Sequence, residues 1–221
     1  SGQSGSALMR TPDFALQLVE AVVQATSLDV TLKMRLGWDD SSLNAPLIAK
    51  RAESVGVRMV TVHGRTRCQF YKGAADWQAI GRVKRAVSIP VIANGDIVDV
   101  TSARQALQQS GADGVMVGRG AQGAPWRLAE ISSALYGTPA PKIPQGAALA
   151  HLILQHHQDI VDFYGGTLGL KNARKHLGWY LDGLQVAPEL RQSLLRSFDL
   201  SEIHELIWRA VEAPSTAGVA A

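Results

Sequence analysis

The sequence has very little cysteine, with only Cys68 among its 221 residues. One cysteine excludes an internal disulfide bond and a structural zinc site built mainly on cysteine ligands. Long apolar runs are also missing, since no stretch approaches the roughly 20 consecutive apolar residues of a membrane-spanning helix. Residues 1–7 have neither a basic region nor an apolar core, so we expect no signal peptide there. These absences predict a cytoplasmic protein that does not span a membrane.

A strong net charge is absent as well. The formal net charge is +3 and the isoelectric point is about 9.2, which is too mildly basic to indicate nucleic-acid binding. The charge is uneven, because residues 1–140 have 15 basic and 11 acidic side chains, whereas residues 141–221 have 7 and 8. Any RNA binding by the second part therefore requires a local basic face.

Four short apolar segments are typical of buried parallel strands, because their apolar residues are continuous rather than alternating. Each segment ends in polar residues or glycine. The predicted strands are 30–35, 59–65, 90–96 and 114–120. Helical patterns flank them at 13–25, 46–54, 76–87, 99–109 and 126–136.

The regular alternation of helix and strand predicts right-handed βαβ units on a parallel sheet. A complete (β/α)8 barrel needs eight strands and roughly 250 residues. Here four strands occupy residues 1–140, so we predict the C-terminal half of a TIM barrel, comprising its last four strands. A complete, open α/β domain with four strands is the alternative.

The remainder of the chain is predicted to be helical. Residues 138–146, TPAPKIPQG, are proline-rich and predict a linker. Beyond them no segment has a strand pattern, and we predict a small all-α bundle over 141–213. Its helical patterns cover 147–163, 168–184, 188–197 and 199–212. The tail, 214–221, consists of small residues and is predicted to be disordered.

The carboxyl ends of the strands are the informative positions, because the reacting groups of β/α barrels gather there. Lys33 lies in an apolar strand and needs polar or charged surroundings. We expect it to face an anionic ligand, and pairing with a neighbouring carboxylate is the alternative. His63 ends the second strand, where it is placed to donate to a phosphate or to a flavin edge. A purely structural histidine is equally compatible with this position.

Two glycine-containing strand ends predict a phosphate site. Residues 94–96 are Asn-Gly-Asp and residues 118–120 are Gly-Arg-Gly, and each group precedes a helix. Backbone N–H groups at such ends bind anions. In TIM barrels phosphate sites commonly follow the last two strands. The pattern therefore indicates a cofactor that carries a phosphate group.

Other potentially reactive residues favour simpler interpretations. We interpret Cys68, in the loop after the second strand, as an incidental residue rather than a reactive thiol. His151, His156 and His157 share one helix, but no acidic or cysteine partner completes a metal site around them. We therefore predict no bound metal.

One helix has a candidate RNA-binding face. Lys171, Arg174 and Lys175 share this face because they are spaced at i, i+3 and i+4. The sequence has no acidic residue from 164 to 181, and Trp179 and Tyr180 follow closely. Basic residues with nearby aromatic rings suit RNA, because phosphates provide affinity and rings stack on bases. An ordinary solvated helix face is the alternative.

Together these segments resemble the tRNA-dihydrouridine synthase family, and in particular its bacterial B-type branch. They span nearly the whole chain up to Tyr180. The resemblance also implies that the small residues 1–6 are native. The matching stretches are GSALMR at 5–10, LKMR at 32–35, VHGRTR at 62–67, PVIANGD at 90–96, MVGRGAQGAPW at 116–126, ARKH at 173–176 and WY at 179–180.

The resemblance implies a (β/α)8 barrel with FMN at its mouth and a helical domain that binds tRNA. The implied reaction reduces the C5–C6 double bond of a flipped-out tRNA uridine, with NADPH or NADH reducing FMN first. Lys33 would then contact the flavin ring and His63 would lie beside the cofactor. The implied contacts to the ribityl phosphate are Asn94, Gly95, Asp96, Gly118 and Arg119.

The sequence departs from the family pattern at the catalytic cysteine. The family has this cysteine, which protonates C5, in an Asn-x-Gly-Cys-Pro motif that the present sequence does not contain. We expect the motif upstream of Ser1, so no catalytic residue is assigned and this N-terminally truncated chain is predicted to be an inactive monomer on its own. Another FMN-dependent barrel oxidoreductase acting on a small molecule and a non-catalytic tRNA-binding fragment are the alternatives.

Overall fold

A computed structural model describes residues 4–212. Of these, residues 4–120 and 130–137 form one compact unit, and residues 121–129 and 138–212 form a second. Short 3-10 helices cover Gly5–Arg10 and Arg119–Ala121. The strands are β1 (Thr31–Arg35), β2 (Met59–His63), β3 (Val91–Asn94) and β4 (Gly114–Met116). The helices are α1 (Pro12–Gln24), α2 (Ala45–Ser54), α3 (Trp77–Ala86), α4 (Val100–Ser110), α5 (Arg127–Tyr136), α6 (Ala147–Tyr164), α7 (Gly166–Asp182), α8 (Pro188–Arg196) and α9 (Leu200–Glu212).

The four strands form a parallel sheet in the order β1-β2-β3-β4. This confirms the predicted α/β class with a parallel sheet. The register pairs Arg35 with His63, His63 with Asn94, and Asn94 with Met116. The carboxyl ends of all four strands are therefore level, and the polar residues at those ends are neighbours.

Local sequence signals fix several helix ends. The Asp76 carboxylate accepts a hydrogen bond of 2.7 Å from the N–H of Ala79 and caps α3. Asp99 and Ser102 form a reciprocal capping box at the start of α4. Gly111 ends α4 with φ 64°, a left-handed conformation that glycine adopts without steric cost. These caps fix where α3 and α4 begin and where α4 ends.

Three predicted strand ends are wrong. β2, β3 and β4 end at His63, Asn94 and Met116, several residues before the predicted limits. Gly95 and Asp96 have φ 112° and φ 54°, so the backbone leaves the extended conformation immediately after Asn94. Residues after β4 turn into a 3-10 helix. Residues 64–65, 95–96 and 117–120 thus lie beyond the strands, whereas His63 and Asn94 remain within them.

The start of the chain and the start of α7 also differ from expectation. Residues 5–10, for which no helix was predicted, form a 3-10 helix. α7 begins at Gly166 rather than at residue 168, because Gly165 alone provides the break, with φ 74°. Gly169 then brings α7 close to the backbone of α6, since an added Cβ would lie 2.6 Å from the Cα of Val161.

The second unit has its own apolar core, formed by side chains of α6 to α9 such as Ile153, Leu177, Leu194 and Ile207. Trp126 packs against this core. Residues 121–129 therefore belong to the second unit, although the predicted domain boundary lies after them, at residue 140. The predicted tail, 214–221, lies outside the described residues. No helix within residues 4–212 is long and apolar enough to cross a membrane.

Candidate functional site

A cavity of about 560 Å³ opens at the carboxyl ends of the strands. Its volume is within the range of small-molecule sites, roughly 300 to 1,000 Å³. The structure brings together all seven residues that were predicted to bind a cofactor. These residues are Lys33, His63, Asn94, Gly95, Asp96, Gly118 and Arg119, and Arg35, Tyr71, Ile97, Val98 and Gly120 complete the lining.

Lys33 and Asn94 are linked across the floor of the cavity. The Nζ of Lys33 donates to Oδ1 of Asn94 over 3.1 Å, so its hydrogen bond goes to an amide rather than to the carboxylate considered as the alternative. Nδ2 of Asn94 donates to the carbonyl of Met116 over 2.8 Å, which fixes the orientation of the amide. Burial, followed by the nearby charge of Arg35, lowers the pKa of Lys33. The ammonium group is therefore held at the floor with a preference for an anionic neighbour.

Asp96 is held by a buried arginine that the sequence interpretation did not single out. Arg65 is only 2% exposed, and its two terminal nitrogens donate to the Asp96 carboxylate over 2.8 and 2.6 Å. The N–H of Ala75 donates to the same carboxylate over 2.8 Å. Burial acts to raise the pKa of Asp96, but these hydrogen bonds outweigh it and the pKa is lowered. The Asp96 side chain thus orders the loop after β3, and its direct contact with a cofactor stays a prediction.

His63 is buried at the end of β2 and is uncharged at neutral pH. Burial, and then the charges of Arg35, Lys33 and Arg65, lower the pKa of His63 to about 4. Its Nε2 lies 3.4 Å from Nη1 of Arg65. A guanidinium group only donates, so Nε2 accepts and the ring proton is on Nδ1. His63 therefore has one N–H donor and no charge in the cavity wall.

Glycines allow two loops to approach the site closely. A Cβ on Gly95 would lie 2.7 Å from Cδ2 of His63, and its φ of 112° also favours glycine. At Gly120 an added Cβ would collide with the carbonyl of Ile97. At Gly118, by contrast, a Cβ would meet nothing within 4 Å. Gly95 and Gly120 are thus required by packing, whereas Gly118 borders the open space of the cavity.

Tyr71 lies between two cations of the cavity wall and was not predicted from the sequence. The guanidinium carbon of Arg119 is 4.6 Å from the centre of the Tyr71 ring, and that of Arg35 is 5.6 Å from it. Nη1 of Arg35 also donates to the carbonyls of Thr66 and Phe70, each over 2.8 Å. With Lys33 these arginines give the wall a net positive charge that suits an anionic ligand. The only signal for Tyr71 was an aromatic residue in the loop after β2.

The predicted RNA-binding residues of α7 are in two different environments. Lys171 and Lys175 are exposed. Arg174 is partly buried, with its guanidinium carbon 4.6 Å from the centre of the Phe198 ring. Ala173, on the opposite face of the helix, is fully buried. Two of the three cations are therefore freely accessible to a ligand.

Cys68 and the three histidines of α6, His151, His156 and His157, do not line this cavity. Cys68 is exposed and does not line the cavity. Nδ1 of His156 lies 3.0 Å from the hydroxyl of Tyr180. Across residues 4–212, no three His, Cys, Asp or Glu side chains are grouped so that they could hold a metal ion. Within those residues, the cavity at the strand ends contains the side chains that were predicted to bind a cofactor.

Comparisons with known proteins identify relatives over most of the chain. A "Probable tRNA-dihydrouridine synthase" of Rhodobacter capsulatus is 61% identical over 198 residues, which cover 90% of this chain and 60% of the relative. "tRNA-dihydrouridine synthase B" of Vibrio vulnificus is 46% identical over 191 residues, which cover 86% and 59%. This chain thus spans about 60% of the length of these relatives.

A crystal structure of mandelate oxidase is 15% identical and covers 88% of this chain and 59% of its own, but its TM-score of 0.33 supports no conclusion. The family model described as "Dihydrouridine synthase (Dus)" matches residues 1–213, nearly the full sequence. The match over nearly every residue, together with the named relatives, shows that this chain belongs to the dihydrouridine synthase family.

Proposed function

We propose that this chain holds the FMN site of a tRNA-dihydrouridine synthase, an enzyme that reduces uridine to 5,6-dihydrouridine in tRNA with NADPH or NADH as the reductant. The observation that carries this proposal is the convergence of all seven predicted cofactor residues on one cavity of about 560 Å³. Membership of the dihydrouridine synthase family supports the same assignment.

The residues of the cavity fit a flavin mononucleotide. Arg119 and the backbone N–H groups around Gly118 suit a phosphate dianion, because a planar guanidinium and exposed amides both bind phosphate oxygens. Lys33 supplies a cation at the floor, where its hydrogen bond to Asn94 leaves two further donor hydrogens. The space beside Gly118 is open. The site therefore has a charged part for the phosphate and a donor for the ring.

When bound, FMN supplies the transfer of hydride from a nicotinamide to a carbon–carbon double bond. The chain's own part is to orient and to stabilise charge. With the cofactor bound, Lys33 would place a cation beside the ring, and the neutral His63 would offer the N–H of Nδ1 without adding a charge of its own. The ion pair of Arg65 with Asp96 keeps the loop after β3 in place.

Reduction of the uridine also requires an acid that protonates C5, and Cys68 does not supply it in our proposal. It is the single cysteine of the sequence, and it does not line the cavity. We therefore propose that the chain by itself binds the cofactor without completing the reaction.

Two finer assignments belong to the same proposal. The sequential order of the four strands supports a segment of a (β/α)8 barrel, in which neighbours in sequence pair in space. The exposed Lys171 and Lys175 support tRNA binding by the helical unit. Arg174 would then also contribute to tRNA binding, from its position against the ring of Phe198.

Flavin retention by the purified chain tests the cofactor assignment. The chain is incubated with FMN, free ligand is removed, and the visible flavin absorbance is recorded, with riboflavin as the ligand that lacks a phosphate. We expect retained FMN, and we expect Arg119→Ala to lose FMN selectively. Arg58→Ala is the matched control, because Arg58 makes only a loose, exposed pair with Asp29. A folded but colourless chain would contradict the assignment of FMN to these residues.

A further inference from the structure

The loop after β2 presents an exposed aromatic ring beside the cavity. Phe70 is 54% exposed and has φ 53°, in the left-handed region. Bulky residues rarely adopt this conformation, because their Cβ crowds the following carbonyl. The ring does not line the cavity itself. A strained, solvent-exposed phenylalanine at this edge of the sheet has no role in the core.

The surrounding loop over-determines this conformation. Nη1 of Arg35 donates to the Phe70 carbonyl over 2.8 Å, and the N–H of Phe70 donates to the carbonyl of Arg67 over 3.2 Å. Thr66 and Gln69 exchange two further hydrogen bonds between their backbone and side chains. In the described part of the chain, Asp96 is the other non-glycine residue with positive φ, and it lies in the cofactor site. Strain of this kind collects at functional sites, where the surrounding structure maintains it.

The neighbourhood of Phe70 is basic and aromatic. The guanidinium carbon of Arg67 is 4.1 Å from the centre of the Phe70 ring and 5.9 Å from that of Trp38. Arg10 lies 4.9 Å from the Trp38 ring. The nearby Asp39 carboxylate accepts hydrogen bonds of 2.7 and 2.8 Å from the hydroxyls of Ser41 and Ser42. We call Arg10, Trp38, Arg67 and Phe70 the rim platform.

We propose that the rim platform binds unpaired RNA, with a nucleobase stacked on Phe70 and the flanking phosphates bound by Arg67 and Arg10. Arginines interleaved with aromatic rings are the combination that proteins use for single-stranded nucleic acid, because rings stack on bases and cations neutralise phosphates. The inference rests on the proposed function, since a uridine that enters the cavity brings its neighbouring nucleotides to this rim. It assigns RNA contact to the first unit, independently of the basic face of α7.

The proposal is tested by measuring RNA binding to the full 221-residue chain. The probe is a fluorescein-labelled oligouridylate of about 10 nucleotides, and its fluorescence anisotropy is recorded across a salt series. We expect Phe70→Gly to weaken binding about five- to tenfold without changing the salt slope, because a stacking ring is lost and no phosphate contact is. Glycine suits φ 53°, so this variant should melt no lower than the parent chain. Phe70→Trp should retain affinity, and Phe14→Ala is the control for an exposed ring elsewhere, on α1.

Arginine variants separate stacking from charge. Arg67→Ala should lower both the affinity and the salt slope, the slope by about 0.7, whereas Arg67→Lys should retain the slope. The proposal is overturned if the parent chain does not bind the oligonucleotide, if Phe70→Gly binds within twofold of the parent, or if Phe70→Trp is as weak as Phe70→Gly. Flavin retention is measured on the same variants, so that failure of RNA binding can be distinguished from failure of the cofactor assignment.

Discussion

The buried guanidinium of Arg65 holds the carboxylate of Asp96 through two hydrogen bonds of 2.8 and 2.6 Å. The pair thereby joins the loop after β2 to the loop after β3 beside the cavity. The Arg65 side chain is 2% exposed and that of Asp96 is 33% exposed, so loss of the carboxylate would leave a buried guanidinium charge without compensation. We expect a cost of roughly 3 kcal/mol, at the low end of the range for buried ion pairs. The pair is therefore the contact whose loss should most disturb both stability and the site.

Asp96→Asn should lower the free energy of unfolding by about 3 kcal/mol, because Arg65 keeps its charge and loses its carboxylate. Asparagine tolerates the left-handed backbone at this position, so the effect reports the charge rather than strain. Urea unfolding followed by circular dichroism measures the change. Asp29→Asn, which alters an exposed pair with Arg58 at 3.5 Å, should change stability by less than about 0.5 kcal/mol. If Asp96→Asn changes the free energy of unfolding as little as Asp29→Asn does, the pair of Arg65 and Asp96 adds no stability.

Lys33→Ala should weaken FMN retention by about tenfold, the effect of losing one charge-assisted hydrogen bond of roughly 1.5 kcal/mol. Equilibrium dialysis against FMN gives the two dissociation constants. Lys50→Ala on α2 is the matched control, because Lys50 is exposed and outside the cavity. Unchanged flavin binding by the Lys33 variant would remove the cavity floor from the site.

The buried imidazole of His157 predicts acid sensitivity of the helical unit. His157 is 3% exposed, and burial followed by the charges of His204 and His156 lowers its pKa to about 4. The unfolded chain, with a pKa near 6.5, therefore binds a proton more readily than the folded chain does. The uncharged His157 imidazole makes its full contribution to the free energy of unfolding above about pH 7. This contribution is lost as the pH falls from about 6.5 to 4, and the free energy of unfolding decreases by roughly 2 to 3 kcal/mol.

Urea midpoints across this pH range measure the effect. His157→Gln, which does not titrate, should show a shallower loss of stability than the parent chain between these pH values. His151→Gln on the same helix is the control, because His151 is exposed. A parallel decline in the parent chain and the His157 variant would exclude His157 as the source.

Charge reversal on α7 tests the helical RNA face. Lys171→Glu combined with Lys175→Glu should weaken tRNA binding and lower the salt slope by about 2, because each phosphate contact releases a counterion. A gel-shift salt titration gives both quantities. Lys142→Glu, an exposed charge outside α7, should leave the slope unchanged. Identical slopes for all three proteins would place tRNA binding elsewhere.

The sequence predicted the strands, the helices and the convergence of the residues proposed to bind a cofactor, because parallel strands place their carboxyl ends at one edge. It did not predict where the strands end. Gly95 and Asp96, for example, have positive φ, so the extended backbone of β3 ends before the residue at which the sequence pattern placed its end. The pairing of Arg65 with Asp96 and the position of Tyr71 depend on contacts between separate loops. Arg174 likewise shares a helix face with two lysines, yet the ring of Phe198 decides its environment.

Arg35, His63 and Asn94 each come from a different strand and meet at one level only when the strands are paired in register. The cavity is thus a property of the assembled sheet, and no single βα unit contains it. A ligand that binds there binds only the folded chain and stabilises it by mass action. If that ligand is the proposed FMN, the folded form of this polypeptide gains stability as the concentration of free FMN rises.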